Sequence, residues 1–194
     1  QATAQGRARL ALVSALGDTP GWFTPLSPEP AATDYATQEA NQFEWGSQVT
    51  FPFVFAFRAE LEARAGGNPS WTAGVDFARL FAGSPYAQEV KTLYKQAGLD
   101  LASDLQTLTR DADITADPAA VDWMRATSVP TGALQVPELD LHTISDQLVP
   151  VQHENKYADT VRRAGSASLL RQAFIERQQH CNFTPPELVA GVLA

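Results

Sequence analysis

Pro137-Glu138-Leu139-Asp140-Leu141-His142-Thr143-Ile144-Ser145-Asp146-Gln147-Leu148-Val149-Pro150 is the stretch where the chain changes character. Leu139 and Leu141 alternate with Glu138 and Asp140, the period of a strand with one apolar face. The spacing predicts a strand over 137–142 and a loop carrying Asp146 after it. A second strand is expected over 169–175, Leu169-Leu170-Arg171-Gln172-Ala173-Phe174-Ile175, followed by a loop holding His180-Cys181-Asn182-Phe183-Thr184. Between them Val151, Glu154, Ala158 and Val161 suit a helix that Pro150 starts and Gly165 ends. Thr184-Pro185-Pro186-Glu187 has the form of a capping box and opens a last helix through Leu193. Strand, helix, strand, helix is the order found at the periphery of a parallel α/β sheet. A lone strand pair is marginal in water and leaves both edges open, so further strands are expected from another polypeptide.

Upstream, the pattern is helical. Arg7 to Leu16 is a helix candidate that Gly17 stops, and Asp18 to Ala32, with Pro20, Pro25, Pro28 and Pro30, reads as a surface excursion. Thr33 or Asp34 caps a helix through Trp45, and Phe53 to Ala65 reads as a separate one. Gly66-Gly67-Asn68-Pro69 forces a turn. Ser84-Pro85 starts a helix that Gly98 ends, with Val90, Leu93, Tyr94 and Ala97 on one face. Leu101, Leu105 and Leu108 repeat the pattern, and Asp117-Pro118 opens another helix. The division expected is a helical block over 1–130 and an α/β part over 131–194. Trp45, Phe53, Phe57, Phe77, Phe81 and Trp123 are the expected core of the helical block.

Composition narrows the function. The chain has 194 residues, 44% hydrophobic and 19% charged, within the range of a globular protein. Its net charge of −8 argues against nucleic acid as a partner. No apolar run approaches a membrane span; Val49 to Phe57 is the most apolar stretch, and Pro52 interrupts it. Met124 is the only methionine. The start at Gln1, inside a helical pattern, is read as a product of precursor processing, a shortened chain being the other explanation.

From Pro137 to Glu187 the chain resembles the C-terminal part of an α/β-hydrolase. The carrying features are an apolar strand, a short turn, an acid (Asp146), Val149-Pro150 starting a helix, and His180 between the last strand and the last helix. That family orders its triad serine, acid, histidine. The resemblance implies an α/β fold completed by a missing N-terminal chain. It makes Asp146 the triad acid and His180 the base, and the helical block a lid. It also implies a serine esterase whose nucleophile lies on that other chain of the same precursor. No Gly-x-Ser-x-Gly elbow occurs here; Gly165-Ser166-Ala167-Ser168-Leu169 precedes a strand and reads as a turn. The sequence departs from the family at Gln179 and Thr143, where glycine is common. Some tannase and feruloyl esterase relatives join a cysteine beside the histidine to one beside the serine, which makes Cys181 a candidate for an interchain disulfide, a free cysteine packed under the loop being the other reading. Such a bond points to an exported or cell-envelope protein, with the cytoplasm as the alternative.

The chemistry of the two residues stands apart from the family. A serine hydroxyl is a weak nucleophile until a base takes its proton. An imidazole can take that proton and return it near neutral pH, and a carboxylate can hold the ring in the required tautomer. His142 reads as a structural hydrogen-bonding residue and His153 as solvated. Three scattered histidines and one cysteine lack metal-site spacing, and no cofactor is expected. Asp76, Asp100, Asp104, Asp111, Asp113 and Asp117 read as caps and solvated faces. A small-molecule ester is the expected substrate. A peptidase or amidase of the same fold is one alternative; a non-catalytic helical interaction protein, or an independent all-helical domain, is another.

Overall fold

The computed structural model describes residues 3–193. The processing expectation at Gln1 falls outside the described residues. Among those described, seven α-helices precede a parallel strand pair: α1 (Ala4–Leu16), α2 (Tyr35–Glu44), α3 (Phe51–Ala65), α4 (Phe77–Ala82), α5 (Ala87–Ala97), α6 (Leu101–Asp111) and α7 (Pro118–Thr127). Then follow β1 (Glu138–Ser145), α8 (Gln152–Arg163), β2 (Leu170–Gln178) and α9 (Pro185–Leu193). No described helix is long and apolar enough to cross a membrane.

Short polar side chains start several of the helices, but not α5: Ser84 does not cap it, the helix begins at Ala87 behind Tyr86, and no side chain caps its first turn. Thr3, Asp34, Asp76, Asp100 and Asp117 each accept from a backbone N–H of the first turn. Gly66 and Gly98 end α3 and α5 in the left-handed region, at φ 77° and 66°. The core of the helical block is built on α1 and α5. Ala8, Ala11 and Ala15 let the α1 backbone approach Val90, Leu93 and Tyr94 of α5 closely, with Leu12, Phe81 and Leu105 filling the sides.

Three other expectations do not hold. First, α2 and α3 are not separate helices: a π-helical stretch, Trp45–Thr50, joins them, and Pro52, which has no N–H for the helix ladder, follows directly on that irregular stretch. Second, the aromatics do not all form the core. Trp45 and Phe81 are buried, but Phe53 and Phe57 are exposed, with Phe51 and Phe55 beside them. Ring pairs Phe51–Phe55 and Phe53–Phe57 stack within α3 at 4.4 Å instead. Third, the proline-rich segment after α1 is no simple excursion. Pro20 and Gly21 are buried, and the Trp22 carbonyl accepts from both Trp45 Nε1 (3.0 Å) and Ser145 Oγ (2.5 Å).

A buried polar cluster links α2 to α5. Glu39, Gln42 and Glu89 are each about 1% exposed. Gln42 Nε2 donates to Glu89 Oε2 at 3.1 Å. Burial, with the nearby Glu39 charge adding to it, pushes the Glu89 carboxyl up to about 7, against the opposing Gln42 bond. The folded state therefore holds a proton that the unfolded chain releases. This contribution to stability is complete below pH about 4.5 and is lost as pH rises through about 7. Glu89→Gln is expected to remove that slope. In urea melts the variant should gain on the order of 2 kcal/mol over the parent at pH 8 and almost nothing at pH 4.5. Equal stability differences at both pH values would show that Glu89 carries no such proton.

β1 and β2 run parallel, with Glu138 opposite Leu170 and Thr143 opposite Ile175. Both strands extend beyond the expected ranges, to Ser145 and Gln178. The register slips after Thr143: Ser145 pairs with Gln178, so β2 carries an extra residue. α8 lies on one side, where Glu154 meets Gln172 of β2, and α9 on the other, where Gly191 meets Leu141. Leu139, Phe174, Leu188, Val189, Val192 and Leu193 remain exposed.

Candidate active site

The loop after β1 folds back on its own acid. Asp146 is 3% exposed, and its Oδ1 accepts from the backbone N–H of Leu148 (2.9 Å) and Val149 (3.1 Å). The other oxygen, Oδ2, lies 2.6 Å from His180 Nδ1. A carboxylate with two amide donors on one oxygen accepts a hydrogen bond from the imidazole Nδ1–H on the other. That leaves the His180 Nε2 lone pair free to act as a base. The His180 side chain is 45% exposed while its acid is buried, so the ring emerges at the surface on a fixed support. Both predicted residues are thus brought together, from the ends of two parallel strands.

Backbone geometry explains why glycine suits position 179. Gln179 has φ 73° and Cys181 φ 52°, so His180 stands between two left-handed residues. Each costs roughly 1–2 kcal/mol for a side chain other than glycine. The conformation is held by its neighbours: Gln179 N–H donates to Ser145 O (3.0 Å), Thr143 Oγ1 donates to Gln179 O (2.6 Å), and Asn182 Nδ2 donates to Gln178 O (3.1 Å). Beyond the loop, the Thr184 hydroxyl and N–H both donate to Glu187, which also pairs with Arg177 at 2.6 Å. Glu187 thus reaches back as expected, while the Thr184 hydroxyl turns to it and not to the helix backbone. Arg177 first, then Thr184, hold the Glu187 carboxyl down at about 2.

Cys181 is exposed and free next to His180. His153 is exposed, and His142 is buried with its Nδ1 2.8 Å from the Thr143 carbonyl, a hydrogen-bonding role as read from its place on the strand. Its Nε2 faces Glu154 at 3.7 Å. Burial, then Asp140, pushes Glu154 up to about 7. Among the described residues no group of three or more His, Cys, Asp or Glu is placed to hold a metal ion.

A cleft of about 440 Å³ opens beside the acid loop, lined by Pro20, Trp22, Pro85, Tyr86, Ile144 and Ser145 among others. Sequence reasoning missed Trp22 and Thr143 as site neighbours. The only hint was that Thr143 and Gln179 both stand where glycine is common.

No family model matches the chain, and no solved structure matches it. The chain is 33% identical over 195 residues to an o-phthalyl amidase of Xanthobacter agilis; the match covers 98% of this chain and 43% of that protein. The chain therefore spans less than half the length of that curated relative.

Proposed function

We propose that this chain is the acid- and base-bearing portion of a serine hydrolase that cleaves amides, with carboxylic esters as further substrates. The observation that carries the reading is the 2.6 Å contact between His180 Nδ1 and Asp146 Oδ2 at the ends of two parallel strands. The amidase relative favours amides over the esters expected from sequence, and its name favours a compact aromatic acyl group. Trp22 and Tyr86 in the neighbouring cleft suit such a ring.

The Asp146–His180 arrangement supports the following steps. His180 Nε2 takes the proton of a serine hydroxyl as its oxygen bonds to the substrate carbonyl carbon. Asp146, accepting from Nδ1, keeps Nε2 available and stabilises the imidazolium that forms. The same nitrogen then protonates the leaving amine or alcohol as the C–N or C–O bond breaks. A water deprotonated by His180 releases the acid and restores the serine. The serine and the oxyanion-binding amides belong to a segment outside this chain. That segment would complete an α/β-hydrolase sheet and cover the exposed Leu139, Phe174 and α9 side chains. α1 to α7 form the lid. Cys181 would face that segment and pair with a cysteine near the serine.

Fluorophosphonate treatment of the complete protein tests the reading. The expected result is one labelled serine outside residues 1–194, with amide turnover lost in step. On non-reducing gels a cleaved protein should keep its two pieces together until thiol is added. A preparation that turns over amides yet resists the label would sink the serine mechanism.

A further inference from the structure

We propose that Thr143 is a positioning residue whose hydroxyl holds His180 in register with Asp146; this rests on the hydrolase reading above. Thr143 is 1% exposed and is the last residue of β1 paired before the register slips. Its Oγ1 donates to the Gln179 carbonyl at 2.6 Å, across the gap between the acid loop and the histidine loop. The peptide on the other side of Gln179 is held by the Ser145 carbonyl at 3.0 Å. His180 is therefore suspended from a residue that is tied on both sides to the strand leading into Asp146.

The tie matters because the loop does not rest where it is held. Gln179 and Cys181 both have positive φ, and neither is glycine. Without the Thr143 hydroxyl the Gln179 peptide can relax toward ordinary backbone angles and carry the ring with it. The Nδ1–Oδ2 contact is short and directional, so a shift of about 1 Å breaks it and leaves the imidazole free to exchange tautomers. A polar side chain at 143 and a non-glycine at 179 are thus two halves of one arrangement, the first restraining what the second strains.

The test compares Thr143→Val, which keeps the shape and removes the hydroxyl, with Thr143→Ser, which keeps the hydroxyl. Two readouts are taken: ring 15N shifts of His180, which report the tautomer without any turnover, and kcat and KM of the complete protein. In Thr143→Val the Nδ1–H tautomer should give way to a mixture, and kcat should fall about 10- to 100-fold with KM within about twofold. Thr143→Ser should restore both. Gln179→Gly added to Thr143→Val should recover part of kcat, because glycine needs no restraint at positive φ. A parental His180 tautomer in folded Thr143→Val overturns the proposal, whatever the rate. Should His180→Ala leave turnover intact, the hydrolase reading falls, while the tautomer comparison still judges Thr143.

Discussion

Replacing His180 by alanine in the complete protein should lower kcat/KM for amides and esters by about 10⁴-fold, with binding little changed. Asp146→Asn should cost a similar factor by another route. Leu148 and Val149 N–H both point at Oδ1, which fixes which end of an asparagine amide faces them. The carbonyl oxygen stays on those two donors, and the NH₂ is left facing His180 Nδ1. An NH₂ group donates, so Nδ1 must become the acceptor and Nε2 the protonated nitrogen. The ring then keeps its place and loses its function as a base. Steady-state turnover with a chromogenic amide checks both variants. Losses within tenfold for either one would remove the pair from the mechanism.

Gly132→Ala should be the most destabilising small change in the C-terminal part. Gly132 is buried at φ 73°, and an added Cβ would lie 2.6 Å from Thr160 O, 2.7 Å from Thr160 C and 2.8 Å from Val161 N. All three are backbone atoms of α8, which cannot yield as a side chain tip would. The left-handed angle adds its own penalty. Together the two effects amount to roughly 2–5 kcal/mol, or about 5–15 °C in Tm. Gly98→Ala is the control, since its φ is 66° and its added Cβ meets nothing within 4 Å. Thermal melts in which the two variants fall equally would show that the segment before β1 does not lie against α8 as described.

The elements legible in the sequence were those whose signals are local. A cap needs only a short polar side chain and the next few backbone N–H groups, so Asp117 was legible as a helix start, while Asp76 and Asp100, read only among caps and solvated faces, are caps as well. Leu139 and Leu141 announced a strand by alternation. Asp146 and His180 were legible as a pair because each follows a strand, and neighbouring parallel strands bring such loops together. α3 misled for a related reason. Phe51, Phe53, Phe55 and Phe57 are spaced by two, which on a helix spreads them around the cylinder and gathers no single buried face. Hydrophobicity alone then pointed to a core that the helix does not join. Glu39 and Glu89 were overlooked in the opposite sense, since an acid in a helical pattern normally faces water.

Composition and periodicity by themselves determined a mostly helical chain ending in a strand–helix–strand–helix unit, and the order of an acid before a histidine. Those features depend on residues a few positions apart. Only the tertiary structure decided that Asp146 turns one oxygen to its own loop and the other to His180. It alone showed Thr143 reaching Gln179, and Trp22 anchored to Ser145 from far upstream. Apart from the bonds of Asp146 to its own loop, each of these is a hydrogen bond a few ångströms long between segments far apart in the chain. Its geometry is set by strand register and loop angles, which no local pattern of residues encodes.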